Sequence, residues 1–371
     1  MPIIIFYKSL TNSICILASK PIIMNYLYCF LLLSFALVSC KSNSNTSTNY
    51  FTKVTVDTLL TDKISIRPIT VSTDKVWYAA DKNRVGYVSL TSANKMQTEI
   101  AENNKLEFRS IAQTSKSIFV LNVGNPAYLF KFSKDLTQKK LVYQENNEKV
   151  FYDSMHFWND KEGIAIGDPI QDCLSIIITR NGGETWTKIP CEKLPKTIDG
   201  EAAFAASNTN ISITGNNTWI VSGGKKSRVF FSSDKGKSWT VYETPIVQGE
   251  AMTGIFTADF YDKNIGFIAG GNYDKPNQNF QNKAITFDGG KTWKLVGEKQ
   301  GFGYASCVQF VPKSNGKQLV TVGTSGLYYS KDGGQNWKQL LKDPTLYTIK
   351  FVDKNTAIAA GKDKIIKLEF N

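Results

Sequence analysis

From residue 51 onward the chain is written in short apolar runs broken by polar turns, and no run there has the length or the period of a helix. LSIIIT from Leu174, RVFFSS from Arg228, KAITF from Lys283 and GLYYS from Gly326 each read as one strand. Shorter strands follow them: TKIP, TVYETP, KLVG and KQLL. Between each strand and its successor lies an octamer: TRNGGETW from Thr179, SSDKGKSW from Ser232, TFDGGKTW from Thr286 and SKDGGQNW from Ser330. A second signature recurs as MHFWNDKEGIAIGD from Met155, ADFYDKNIGFIAGG from Ala258, VQFVPKSNGKQLVTVG from Val308 and IKFVDKNTAIAAGK from Ile349. Each copy is an apolar run, a polar turn and a second apolar run ending near Gly, hence two strands joined tightly.

A repeat of this kind decides the fold. The terminal tryptophans of the octamers, Trp186, Trp239, Trp293 and Trp337, mark units of four short antiparallel strands without intervening helices, which describes the blades of an all-β propeller. Two units without the octamer, at 65–101 and 106–144, precede these four, and three strands follow them, at about 346–352, 356–361 and 364–370. The alternating segment FTKVTVDTL, residues 51–59, supplies the missing fourth strand from the opposite end of the chain. Seven blades result, closed by an N-terminal strand that leaves no long sheet edge exposed. The two octamer-free units leave six or eight blades open.

Ahead of the blades lies a different pattern. Residues 22–39 form an uncharged apolar run that ends in Leu37-Val38-Ser39-Cys40. The ending resembles a bacterial lipobox, in which a cysteine is lipidated and becomes the new N-terminus; an uncleaved anchor or an ordinary signal peptide are the alternatives. Only Lys8 and Lys20 precede the run, and Met24 is a second candidate start. The expected organisation is a leader over 1–39, a tether over 40–50 that is too polar to fold, and the propeller over 51–371. Cys40 is the expected lipidation site, on a monomer held at a bacterial cell envelope and facing the periplasm or the exterior.

Composition narrows the function. Lys and Arg number 44 against 32 Asp and Glu, a net charge of +12, but the lysines are spread evenly and show no basic stripe with interleaved aromatics. Nucleic acid is therefore not the expected partner. Beyond the leader and Cys40 only Cys173, Cys191 and Cys307 remain, with one histidine, His156, so no zinc site is expected. Cys173 and Cys191 stand equally far from Gly182 in one hairpin and are expected to form a disulfide, which export would preserve. Cys307 is expected to stay a buried thiol.

In the octamers, Asn181, Asp234, Asp288 and Asp332 can accept backbone N–H groups and build the turn. Gly183, Gly236, Gly290 and Gly334 suit a positive φ, and Trp186, Trp239, Trp293 and Trp337 cover each turn. These are structural tasks that need no substrate. The octamer matches the Asp-box, or BNR repeat. With FWNDKEGIAIGDP, DGEAAFAAS and GGNYDKP it makes residues 60–370 resemble the YCF48-like photosystem II stability and assembly factors, and more distantly the sialidases. The resemblance implies a seven-bladed Asp-box propeller that acts as a binding or assembly scaffold. Relatives are sometimes called oxidoreductases, but no dinucleotide, haem or flavin motif occurs here, and no cofactor is expected.

A sialidase-like glycoside hydrolase acting on glycans is the alternative. It needs three arginines on the substrate carboxylate, a tyrosine nucleophile with its glutamate, and an acid/base aspartate. The chain has five arginines, Arg67, Arg84, Arg109, Arg180 and Arg228, with Arg67 in Ile66-Arg67-Pro68-Ile69 and Arg180 in an Asp-box turn. Activity is thus less expected than binding. The face opposite the Asp-box turns carries the candidate ligand-binding residues Asp168, Glu201, Arg228, Tyr273, Asp274 and Tyr304, charges and aromatics suited to a protein partner or a glycan-like ligand.

Overall fold

A computed structural model describes residues 50–101 and 105–371. The leader, most of the tether and Cys40 lie outside the described residues, and Tyr50–Asn371 form one compact unit. That unit is all β. Blade one is built from Ile69–Val71, Lys75–Ala79, Arg84–Ser89 and Lys95–Glu99, blade two from Phe108–Gln113, Ser117–Asn122, Ala127–Ser133 and Lys139–Glu145. Blade three follows with Tyr152–Phe157, Gly163–Gly167, Ser175–Thr179 and Thr187–Lys188, and blade four with Ile211–Thr214, Asn217–Val221, Arg228–Ser232 and Thr240–Glu243. Blade five takes Thr253–Phe260, Gly266–Asn272, Lys283–Thr286 and Lys294–Leu295, and blade six Cys307–Phe310, Leu319–Gly323, Gly326–Ser330 and Lys338–Leu341.

Blade seven joins both ends of the described chain. Leu346–Phe351 pairs with the first half of Thr356–Phe370, and Val54–Ser65 pairs antiparallel with the second half, Val54 opposite Phe370 and Thr58 opposite Ile366. The long strand doubles back on itself, since Phe370 N donates to Asn355 O at 2.8 Å. The reversal falls at Asp363, whose φ is +65°. Phe51 is buried between the rings of Tyr329 in blade six and Phe370, at 5.0 and 4.9 Å.

The core is a set of seams between neighbouring blades. Trp77 and Val85 of blade one meet Ile111 and Phe130 of blade two. Ile164 and Ile176 of blade three meet Ile220 and Phe230 of blade four, and Ile358 and Ile365 of blade seven meet Ile69 and Tyr78 of blade one. Each β-sheet thus buries both faces, which explains why inner strands such as Gly163–Gly167 are apolar throughout instead of alternating.

The octamers occupy these seams as well as their own turns. The leading Ser or Thr accepts the glycine N–H four residues on: Gly183 to Thr179 at 2.9 Å, Gly236 to Ser232 at 2.7 Å, Gly290 to Thr286 at 3.0 Å and Gly334 to Ser330 at 2.9 Å. Asp234, Asp288 and Asp332 each accept the backbone N–H four residues on at 2.9 Å, and Asn181 does so at 3.1 Å. Trp293 and Trp337 donate to the carbonyls of Gly290 and Gly334, whereas the indole N–H groups of Trp186 and Trp239 have no partner. The four glycines have φ between +74° and +87°. Each also lies against the preceding blade, where an added Cβ would meet Phe119, Ile178, Trp219 or Phe267. The octamer is therefore a turn and a blade-to-blade spacer together.

Cys173 and Cys191 are joined, with an S–S distance of 2.08 Å and Cα atoms 5.7 Å apart. The bond lies beyond the strand ladder. Ile178 pairs with Thr187 and Ile177 with Lys188, so the ladder is offset from a pairing centred on Gly182. Cys191 opens a 3₁₀ turn, Cys191–Lys193, and that turn brings the sulfurs together. Cys307 is a buried free thiol.

Candidate functional site

The connection into blade four does not stay on the surface. After Glu201–Ala202 the chain drops into the central channel as Ala203-Phe204-Ala205-Ala206-Ser207-Asn208-Thr209-Asn210, whose small side chains let backbone enter where larger ones could not. There it bonds to the rest of the ring. Arg67, leading into blade one, donates to Ala206 O at 3.3 Å, and Arg109 of blade two donates to Ala205 O at 3.4 Å. Asn208 Nδ2 donates to Ile111 O and Asn208 Oδ1 accepts from Met155 N, both at 2.9 Å. Ser207 Oγ donates to Ser306 O at 2.5 Å, Thr348 Oγ1 donates to Ser207 O at 3.4 Å, and Ala258 N donates to Thr209 O at 2.8 Å. The segment is a plug held by blades on every side.

Above the plug, on the face opposite the Asp-box turns, is a cavity of about 390 Å³. Arg67, Arg109 and Asp168 supply its charges, and Phe151, Phe204, Phe256, Tyr273 and Tyr304 its aromatic walls. Phe204 of the plug stacks on Phe256 with centroids 3.9 Å apart and planes 8° apart. Tyr304 stands across Phe256 at 4.8 Å and 84°, and Tyr273 across Tyr304 at 5.1 Å and 82°. Phe256 and Tyr273 are only 25° from parallel, so two facing rings with Tyr304 across them make three sides of a box.

The carboxyl groups carry the unusual electrostatics. Asp168 Oδ1 accepts Ala203 N at 2.9 Å, yet burial pushes its pKa up to about 6. Behind it, Asp153 is fully buried and neither of its oxygens has a hydrogen-bond partner. Burial, and then the neighbouring charge of Asp168, raise the Asp153 pKa well above the carboxylate range, with Arg109 opposing. Burial thus favours the neutral form of Asp153.

Below the plug the channel holds His156, whose Nε2 lies 2.9 Å from Asn208 O. Burial, with Lys350 adding to it, lowers its pKa to about 4, so the ring is neutral and Nε2–H donates to the plug. His156 packs the channel. A larger hollow, about 560 Å³, opens on the Asp-box face beside Lys75, Lys134, Gln113 and Asp160. Its polar groups largely satisfy one another: Lys134 donates to Gln113 Oε1 at 2.7 Å, Gln113 Nε2 to Thr70 Oγ1 at 2.8 Å, and Ser115 N to Asp160 at 2.8 Å. Unspent chemistry, more than volume, singles out the cavity above the plug.

The structure brings Asp168, Tyr273 and Tyr304 together there. Glu201 and Arg228 do not line this cavity and bind each other instead. The Glu201 side chain is 0% exposed and Arg228 11%, with Nη2 to Oε2 at 2.5 Å. Loop position and charge suited them equally to a ligand or to a mutual pair, and burial settles the matter. Asp274 is exposed and does not line the cavity. The sequence reading missed Arg67, Arg109, Phe151, Phe256 and Asp153 as site residues. The scarcity of arginine was the available signal, since two of only five reach this one place. The others are paired elsewhere, Arg84 with Asp62, Arg180 with Glu162 and Arg228 with Glu201, so the three-arginine cluster of a sialidase is not assembled here. No glutamate lines the cavity either. Among the described residues no group of three or more His, Cys, Asp or Glu is arranged to hold a metal.

Fold and octamers together define an Asp-box seven-bladed propeller. The BNR/Asp-box repeat family matches residues 284–295 and 328–339. In three dimensions the chain resembles YCF48. The structure described as YCF48 bound to D1 peptide is 11% identical, with a TM-score of 0.63 over 87% of this chain and 98% of that one. YCF48 from Cyanidioschyzon merolae is 14% identical, with a TM-score of 0.62 over 86% and 99%. The WD40 β-propeller domain of Doa1 is about as near in shape, 12% identical with a TM-score of 0.60 over 87% and 97%. No curated protein matches the sequence. At such identities the likeness is one of fold.

Proposed function

We propose that this propeller is a non-catalytic scaffold that receives a segment of a protein partner in the cavity above the plug, while a lipid on Cys40 tethers it to a bacterial envelope. The cavity carries the reading: its aromatic box and opposed charges sit on a floor bonded to every side of the ring, a preformed mouth with little reorganisation to undergo. The likeness to a propeller solved with a peptide bound supports the same class of partner. The apolar run ending in Leu37-Val38-Ser39-Cys40 supports the tether.

Selection of a displayed random dodecapeptide library against the protein tests the reading. Binders that are lost on Phe256→Ala and Tyr304→Ala, but kept on an outer-strand control such as Lys140→Ala, support it. Failure to select such binders, or turnover of fluorogenic glycosides that disappears with Asp168→Asn, overturns it in favour of the hydrolase. Metabolic labelling with an alkynyl fatty acid, abolished by Cys40→Ser, tests the tether.

A further inference from the structure

Resting on that reading, we infer that the group entering the cavity is a cation, the ammonium or guanidinium of a lysine or arginine of the partner, received by Asp168 within the aromatic box. The argument is an account of which polar groups are already spent. Arg109 donates through Nε to Glu107 Oε1 at 2.7 Å and through Nη1 to the plug at Ala205 O, so its charge is matched. Arg67 Nη1 holds the plug at Ala206 O and its guanidinium lies 4.4 Å over the ring of Tyr347, while its Nε is buried without a partner. Both arginines serve the floor of the cavity.

The acceptors are in the opposite condition. Asp168, half-buried on the cavity wall, has one oxygen engaged by Ala203 N and no partner on the other. Asp153 behind it has both oxygens unbonded and buried, a second carboxyl held without any compensating donor. A buried carboxyl without partners is costly unless something completes it. The cavity that Asp168 lines is also walled by Phe256, Tyr273 and Tyr304, and a cation over aromatic rings beside a carboxylate is attracted by both. An acidic group placed here would face Asp168, and the guanidinium groups it would need already hold the plug at Ala206 O and Ala205 O.

The pair also links the event to protons. The charged groups around it are Arg109, with Glu107 upon it, and Arg67, which lines the same cavity. A cation is received by the ionised form of Asp168, so binding strengthens as pH rises through about 6, the value to which burial raises the Asp168 pKa, and releases protons.

The test uses purified full-length chain with two kinds of probe. Nα-acetyl-lysine methylamide and Nα-acetyl-arginine methylamide are titrated by NMR, with the glutamate analogue as control; the dodecapeptide selection is scored for charge. Saturable shifts at Tyr273 and Tyr304 with the basic compounds only, at least tenfold weaker in Asp168→Asn, are expected, together with Lys or Arg enrichment among cavity-dependent peptides. Cavity-dependent peptides without that enrichment, or indifferent to Asp168→Asn, overturn this inference and leave the peptide-binding reading standing. Basic compounds bound at Asp168 without any selected peptide overturn the reading and leave the cation site standing.

Discussion

Replacing Glu201 with alanine separates a structural ion pair from a ligand contact. The carboxylate is buried and accepts four hydrogen bonds: Ile198 N at 3.0 Å, Ser222 Oγ at 2.6 Å, Arg228 Nε at 3.0 Å and Arg228 Nη2 at 2.5 Å. Without it the Arg228 guanidinium retains only Lys196 O at 2.9 Å and the face of Phe230 at 5.2 Å. Removing one partner of a buried pair costs about 3–5 kcal/mol, because a desolvated charge is left behind, and we expect a loss of about 4 kcal/mol. Most of that cost belongs to the orphaned arginine. The double variant Glu201→Met/Arg228→Met should therefore recover the greater part, since apolar replacement of a whole buried pair is often neutral. Urea denaturation of residues 50–371, followed by tryptophan fluorescence, gives both numbers, and the midpoints suffice if the slopes agree. A single variant losing less than about 1 kcal/mol, or a double variant no more stable than the single, would refute the reasoning. A Glu201→Ala protein of normal stability that no longer binds selected peptides would restore Glu201 to the ligand site.

Other outcomes follow from the same geometry. The Asp168 pKa is raised in the folded state, so its contribution to stability is present below the ordinary carboxylate range and is lost as pH rises through about 6; Asp168→Asn should gain on wild type in melting temperature between pH 4 and 7, and a pH-independent difference would contradict the assignment. Gly334→Ala must adopt a φ of +85° and drive a Cβ into Phe267, so it should destabilise by at least about 2 kcal/mol in the same denaturation assay, whereas Gly124→Ala, whose Cβ meets nothing within 4 Å, should be nearly neutral. Thiol titration of unreduced, denatured residues 50–371 should find one free cysteine, Cys307, and three would show that the Cys173–Cys191 bond does not form.

What could be read in advance follows from which interactions are local. The Asp-box is bonded within eight residues, Ser232 to Gly236 and Asp234 to Ser238, so its sequence carries its structure, and strand pairs with tight turns announce themselves for the same reason. The alternation of residues 51–59 showed a strand, and a blade short of one strand showed where it belonged; Val54 lies opposite Phe370. Asp168, Tyr273 and Tyr304 were legible as chemistry on loops of one face. The role of Gly183 against Phe119 was not, because it depends on the neighbouring blade. Arg67 and Arg109 lie 42 positions apart, Asp153 is hidden behind Asp168, and only the closed ring brings them together.

The plug shows most clearly where such reading ends, and it also governs what the site can do. AAFAASNTN has neither the alternation of a strand nor the punctuation of a turn, because its partners lie as far as 139 residues before it and 141 after it. Small residues are what a channel admits, and small residues carry little pattern. A floor held at Ile111, Met155, Ala258, Ser306 and Thr348 cannot sink or rise without breaking bonds to five blades together. The wall residues gain their positions from the same segment: Asp168 is fixed by Ala203 N, Phe256 by the ring of Phe204, and Arg67 and Arg109 by the carbonyls of Ala206 and Ala205. Mobility at the mouth is then left to the loop of Tyr273, whose ring is the most exposed wall of the box. Recognition should accordingly resemble closure of one side chain over a rigid seat, with selectivity set by the charge at Asp168 and dissociation by the release of Tyr273.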